Sequence, residues 1–246
     1  GATGEDRAVY RLLALAPPNA TVLVQPDTTA FLTGRPHVVS TSFDPGTPAW
    51  PEYLLGDPQR TGFDALGPAP TQSLYQLAHA GLAQHRYHPI GLIGGIFLLS
   101  SNASEPLEVY TGLNATYGPR DLFVTQPVYR TPTSIRASNV TDQSTVWFGP
   151  YEFLAPGLYD VTYQLEVSNH SIRNFLKLDF LAGTSGTIYN STRLTGASFP
   201  SVGTWTTITL RILVDNVYEF SNFPANDVDW NGTLELASIS IEQLGP

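Results

Sequence analysis

The sequence predicts two regions of different class: a small α/β sandwich over residues 1–103, followed by an antiparallel β-sandwich of jelly-roll type over residues 104–246. Three observations predict it. Helix-period segments and short β-rich runs alternate through the first hundred residues. From about Leu107 apolar residues recur at every second position between turn signals. A chain of 246 residues with no cysteine must rest on packed cores, and it is long enough for two.

The first helix is expected over Glu5–Leu15, where Val9, Leu12, Leu13 and Ala16 fall at helical spacing, Glu5 and Asp6 suit the dipole of the first turn, and Pro17-Pro18 ends it. Thr21–Gln25 (TVLVQ), His37–Ser42 (HVVSTS) and Tyr53–Gly56 (YLLG) read as short strands without clean alternation, as in a parallel sheet covered on both faces. Between the first two, Asp27 to Leu32 reads as a short capped helix stopped at Gly34. Thr71–Gln84 is a second helix, with Leu74, Leu77, Ala78 and Leu82 on one face, and Ile90–Ile93 and Ile96–Leu99 form a hairpin turning at Gly94-Gly95.

In the second region Tyr159, Val161, Tyr163, Leu165 and Val167 alternate with polar residues, as do Leu176, Leu178 and Phe180, and Ile208, Leu210, Ile212 and Val214. Each set puts one strand face into a core. The parity slips near Ala237 within Thr233–Leu244, which predicts a bulge.

Seven of the eleven asparagines stand in Asn-x-Ser/Thr triplets: Asn19, Asn102, Asn114, Asn139, Asn169, Asn190 and Asn231. Ser and Thr make up about a fifth of the chain, so chance would supply roughly two. The excess predicts an N-glycosylated protein that is extracellular or on a cell surface. No asparagine occurs between Ala20 and Ser101. Two accounts stay open: the α/β region faces a protein neighbour, or α/β interiors hold few asparagines.

Charged residues are 13% of the chain, and the formal net charge is -9 with Lys177 the sole lysine. A nucleic-acid partner would call for a basic patch, so none is expected. Thiolate metal sites and thiol catalysis are excluded by the absence of cysteine. Met is absent as well and the chain opens at Gly1, which leads to the expectation of a product cut from a longer membrane-anchored precursor. The longest apolar stretch, Pro89–Ser100, is too short to span a bilayer, so the anchor is expected in the missing precursor segment.

The segment Trp147 to Tyr163 (WFGPYEFLAPGLYDVTY) resembles an edge of the carbohydrate-binding-module-like jelly rolls appended to archaeal and bacterial membrane proteins. The segments Leu15–Gln25, Glu52–Asp57 and Ile90–Leu99 resemble the soluble C-terminal part of a family of multi-spanning membrane proteins, number two thousand and seventy-nine in the domain-of-unknown-function series. That resemblance implies a soluble region on the outer side of an archaeal membrane and supplies no catalytic residues. The taste for Thr, Tyr and Pro without Cys suits a thermophile.

Candidate chemistry is sparse. His79, His85 and His88 could ligate zinc only if six-residue spacing met on one side of a helix, which it does not; capping the helix end is the alternative. Asp227 and Asp229 beside Trp230 are compatible with a calcium or glycosidase-like site, or with loop chemistry. Tyr218, Phe220, Phe223 and Trp230 are open to three readings: sugar stacking, a subunit interface, or core. Asp57, at the end of a strand, is the one residue to test for catalysis. No Gly-x-Ser-x-Gly elbow or phosphate-binding glycine motif occurs. The expectation is a non-enzymatic glycoprotein without cofactor or resident metal, a self-associating subunit of a surface layer or filament. The alternative is a sugar-binding or accessory domain of a membrane glycosyltransferase-like protein.

Overall fold

The computed structural model describes residues 4–25, 35, 38–40, 50–59, 74–125, 127–182, 187–215 and 220–245. The predicted helix at 27–32 and Tyr218 lie outside them. The chain divides into two compact units, the first formed mainly by Gly1–Leu113 and the second by Asn114–Glu152, Pro156–Asp215 and Phe220–Pro246.

The first unit runs α1 (Gly4–Leu13), β1 (Val22–Val24), β2 (Val38–Ser40), β3 (Tyr53–Gly56), α2 (Leu74–Ala83), β4 (His88–Ile93), β5 (Ile96–Ser100) and β6 (Val109–Thr111). Its six-stranded sheet has the order β2-β1-β3-β5-β4-β6. The β1 strand is parallel to β2 and β3 and the β4–β5 hairpin is formed, both as predicted, but β5 also runs antiparallel to β3. The sheet is therefore mixed. Strand β6, parallel to β4, carries it past the predicted boundary at residue 103. The α1 stripe of Val9, Leu12 and Leu13 packs with Val22, Val24, Leu55, Ile90 and Leu98 in one core. All residues of β1, β3 and β5 are buried, which is why their sequences do not alternate.

Two polar side chains buried in this unit are held by hydrogen bonds. The fully buried Gln25 clamps the backbone of Asp57, its Nε2 donating to the carbonyl oxygen (3.0 Å) and its Oε1 accepting from the amide (2.8 Å). At the opposite ends of the strands the Tyr53 hydroxyl donates to Glu105 Oε1 at 2.8 Å. Burial, and then the Glu105 carboxylate, push the Tyr53 phenol up to about 12 from 10.0. A raised phenol favours the neutral, folded form; its contribution is complete below pH 10 and is lost as pH climbs from about 10 to about 12. Tyr53→Phe is therefore expected to lower stability at pH 8 by about 1 kcal/mol and to flatten the alkaline decline, read as denaturation midpoints between pH 8 and 12.

The second unit contains β7 (Asn114–Tyr117), β8 (Phe123–Val124), β9 (Tyr129–Arg130), β10 (Ile135–Phe148), β11 (Glu152–Phe153, at its margin), β12 (Gly157–Val167), β13 (Phe175–Ala182), β14 (Thr187–Thr195), β15 (Thr206–Val214), β16 (Phe220–Asn222) and β17 (Ala225–Gly245). It is an antiparallel β-sandwich whose two layers share one strand. The first half of β17 pairs with β10 and β13, and its second half with β12 and β7. The β12 strand buries every second residue, as predicted. Ala237 is the extra residue between the Gln164–Ser238 and Leu165–Leu236 pairs, so the parity slip in the sequence is a bulge in the strand. Ile208 and Leu210, predicted to be core, are only half-buried because β15 pairs with β12 alone among the described residues.

Candidate functional site

All seven sequon asparagines reach the surface: Asn19, Asn102, Asn114, Asn139 and Asn231 are exposed, Asn169 and Asn190 half-buried. Two belong to the first unit. Asn19 sits in the turn between α1 and β1, and Asn102 follows β5, where its Oδ1 accepts from both the amide (3.2 Å) and the hydroxyl (2.8 Å) of Ser104. That is an Asx turn closed within the triplet itself.

Three others converge in the second unit. Asn139 adopts a left-handed backbone (φ 51°) at a bulge of β10, and its Oδ1 accepts the amide of Gly232 at 2.9 Å across the strand pair. Gly232, itself at φ 93°, lies so close to Asn169 that an added Cβ would stand 2.9 Å from the Asn169 Cβ. Only glycine fits there. The triplets of Asn139, Asn169 and Asn231 thus form one patch, although the first and last are 92 positions apart in sequence.

A fourth asparagine, outside any sequon, holds the patch together. Asn174 is buried; its Nδ2 donates to the carbonyls of Asn231 (2.9 Å) and Asn169 (3.3 Å), while its Oδ1 accepts the Asn231 amide (3.1 Å). Ser168 adds its hydroxyl as acceptor for the Thr233 amide at 2.7 Å, and Ser171 donates its amide to Asn169 Oδ1 at 2.9 Å. Across the loop, Gly196 approaches the His170 and Ser171 backbone within 2.2 Å of where a Cβ would stand. Sequence reasoning passed over Asn174 because Asn-Phe-Leu is no acceptor triplet; the Gly inside Asn231-Gly-Thr was the available signal.

The side-chain nitrogens that would carry sugar are open. Among the described residues those of Asn19, Asn102, Asn114, Asn139, Asn169 and Asn231 make no hydrogen bond, and that of Asn190 makes one long contact, 3.5 Å to the Arg211 carbonyl.

Among the described residues the aromatic candidates are not a sugar platform. Phe220, Phe223 and Trp230 are buried, Phe223 stacked on Phe180 (5.4 Å) and Trp230 edge-on to Phe199 (5.5 Å). Period-two spacing on β17 turns Val228 and Trp230 inward, so of the three readings the core one describes these rings. Asp227 (φ 47°) pairs with Lys177, and Asp229 lies opposite Phe175 in the β13–β17 register. The three histidines have different surroundings. His79 is half-buried in α2, His85 is exposed beyond its end, and the His88 ring bonds the Glu105 carbonyl at 2.8 Å. Asp57 is buried, with Oδ1 accepting the Gln59 amide at 3.1 Å. Among the described residues no three of His, Asp and Glu gather as a metal site would require.

No family model matches the sequence, and no curated protein matches it. Solved structures similar to this chain include a family 6 carbohydrate-binding module from a Cellvibrio mixtus lichenase in complex with cellotriose (16% identity, 52% of this chain and 96% of that one, TM-score 0.37). A xylan-binding module of family 15 (9% identity, 55% and 99%, TM-score 0.37) and the first family 22 xylan-binding domain of a Paenibacillus barcinonensis protein (8%, 55% and 97%, TM-score 0.37) are similar to the same extent.

Proposed function

We propose that the protein is an extracellular N-glycosylated structural protein, a self-associating, non-catalytic subunit of a cell-surface layer or filament, with its second unit a sugar-bearing jelly roll. One observation carries the reading: every acceptor asparagine reaches the surface, and three of them are drawn into a single patch. A low charge density and exposed apolar side chains, Ile172 at 80% and Trp205 at 46%, suit a surface that meets other copies. For the sugar-binding alternative, Phe220, Phe223 and Trp230 offer no stacking face, because these three rings pack inside.

Material from the native source is expected to exceed the 26.7 kDa of the polypeptide, with peptide mapping placing glycans on Asn139, Asn169 and Asn231, and negative-stain microscopy is expected to show ordered polymers. A bare polypeptide that stays monomeric at high concentration removes the proposal.

A further inference from the structure

The sandwich has an edge that its own side chains leave undefended. Strand β15 pairs with β12 through nine consecutive residue pairs without a bulge, and with nothing else among the described residues. Its sequence, TTITLRILV, contains no proline, lysine or acidic residue. Its single charge, Arg211, is held to Asp160 by two hydrogen bonds of 2.8 and 2.9 Å. Long, β-branched, uncharged edges are templates for pairing with another chain, and proteins normally blunt them with charges, proline or bulges. Proline and bulges are absent from β15, and its one charge is engaged by Asp160 of β12.

Instead a sequon lies against it. Asn190 belongs to β14, which pairs only with β13 among the described residues and is thus an edge of the other layer. The Asn190 Nδ2 donates to the Arg211 carbonyl (3.5 Å), so that carbonyl points away from β12. The two-residue repeat of an antiparallel ladder turns the carbonyls of Thr207, Thr209 and Leu213 the same way. Exposed apolar residues stand two positions along on each side, Ile188 at 57% and Leu213 at 68%, with Tyr189 at 43% beside them.

We infer that the glycan on Asn190 is the guard of the β15 edge, denying it to strand pairing with a second copy of this chain. The inference rests on the glycosylation proposed above. An N-linked sugar leaves one hydrogen on Nδ2, enough to keep the bond to Arg211, and begins its bulk where an incoming strand must approach to about 4.8 Å. Assembly of the glycosylated protein then runs through other surfaces, and loss of this one sugar adds a new, sheet-extending mode.

The test compares glycosylated wild type with Asn190→Gln and Thr192→Ala, which remove the same sequon by different side chains, and with Asn102→Gln as control. Both sequon variants are expected to show thioflavin-positive growth with light scattering raised on the order of tenfold over wild type and control. Thr209→Lys added to Asn190→Gln is expected to return the signal to the wild-type level. Sequon variants that behave like Asn102→Gln overturn the inference and leave the glycosylation reading standing. Asn190 found bare in wild-type protein, with other sequons occupied, overturns it as well; all seven bare removes both.

Discussion

Replacing Trp230 by alanine is expected to destabilise the second unit by about 3–5 kcal/mol. The indole is fully buried on β17, opposite Val140 of β10, with Phe199 edge-on at 5.5 Å. Truncation removes apolar burial and leaves a cavity at a strand pair that already carries a bulge at Asn139. A loss of that size is a large fraction of the stability of an ordinary domain. Trp230→Phe is expected to cost distinctly less, because the ring contact with Phe199 persists and the Trp230 Nε1, which is buried without an acceptor, is removed. Urea unfolding followed by circular dichroism checks both. An alanine variant within 1 kcal/mol of wild type is incompatible with a buried Trp230; a change confined to glycan affinity, with stability intact, would restore the surface reading of these aromatics.

Patterns that depend on one strand or helix were legible in the sequence, and patterns that depend on two were not. The alternation from Tyr159 to Val167 and the slip at Ala237 are properties of single strands, and both stand in the structure. The antiparallel placement of β5 against β3 is set by long-range pairing, so the short run Ile96–Ser100 carries no mark of its direction. The aromatic segment failed for a different reason. Asn, Asp and Pro between Phe220 and Trp230 look like exposed loop chemistry, yet the inward positions, Val228 and Trp230, hold to a period of two, and Asp227 takes a left-handed turn that re-aims the strand. Surface placement of the sequons followed from their polar, turn-forming composition. Their convergence did not, since a buried amide 57 residues away from Asn231 draws the loops together.

That amide is the second position where a small change is expected to have a large effect. Asn174→Ala removes two donors and one acceptor from a buried site, stranding the Asn231 amide and carbonyl and the Asn169 carbonyl. Unsatisfied buried groups cost more than the bonds that met them, and the expected loss is about 3 kcal/mol. Asn174→Asp separates hydrogen bonding from volume. An aspartate keeps an acceptor for the Asn231 amide but faces the two carbonyls with an oxygen instead of an N–H, so the folded state resists its ionisation. With its folded pKa raised above the unfolded value, the aspartate contributes stability that is present at low pH and lost as pH rises through the folded pKa. The melting temperature of Asn174→Asp is therefore expected to rise relative to wild type between pH 7 and pH 4, while that of Asn174→Ala keeps a constant offset. Hydrogen exchange locates the damage: amides of residues 169–174 and 231–233 lose protection in both variants, and those of β1, β3 and β5 do not. Equal pH dependence in the two variants would mean that shape, and not the amide's donors, holds the three sequons together.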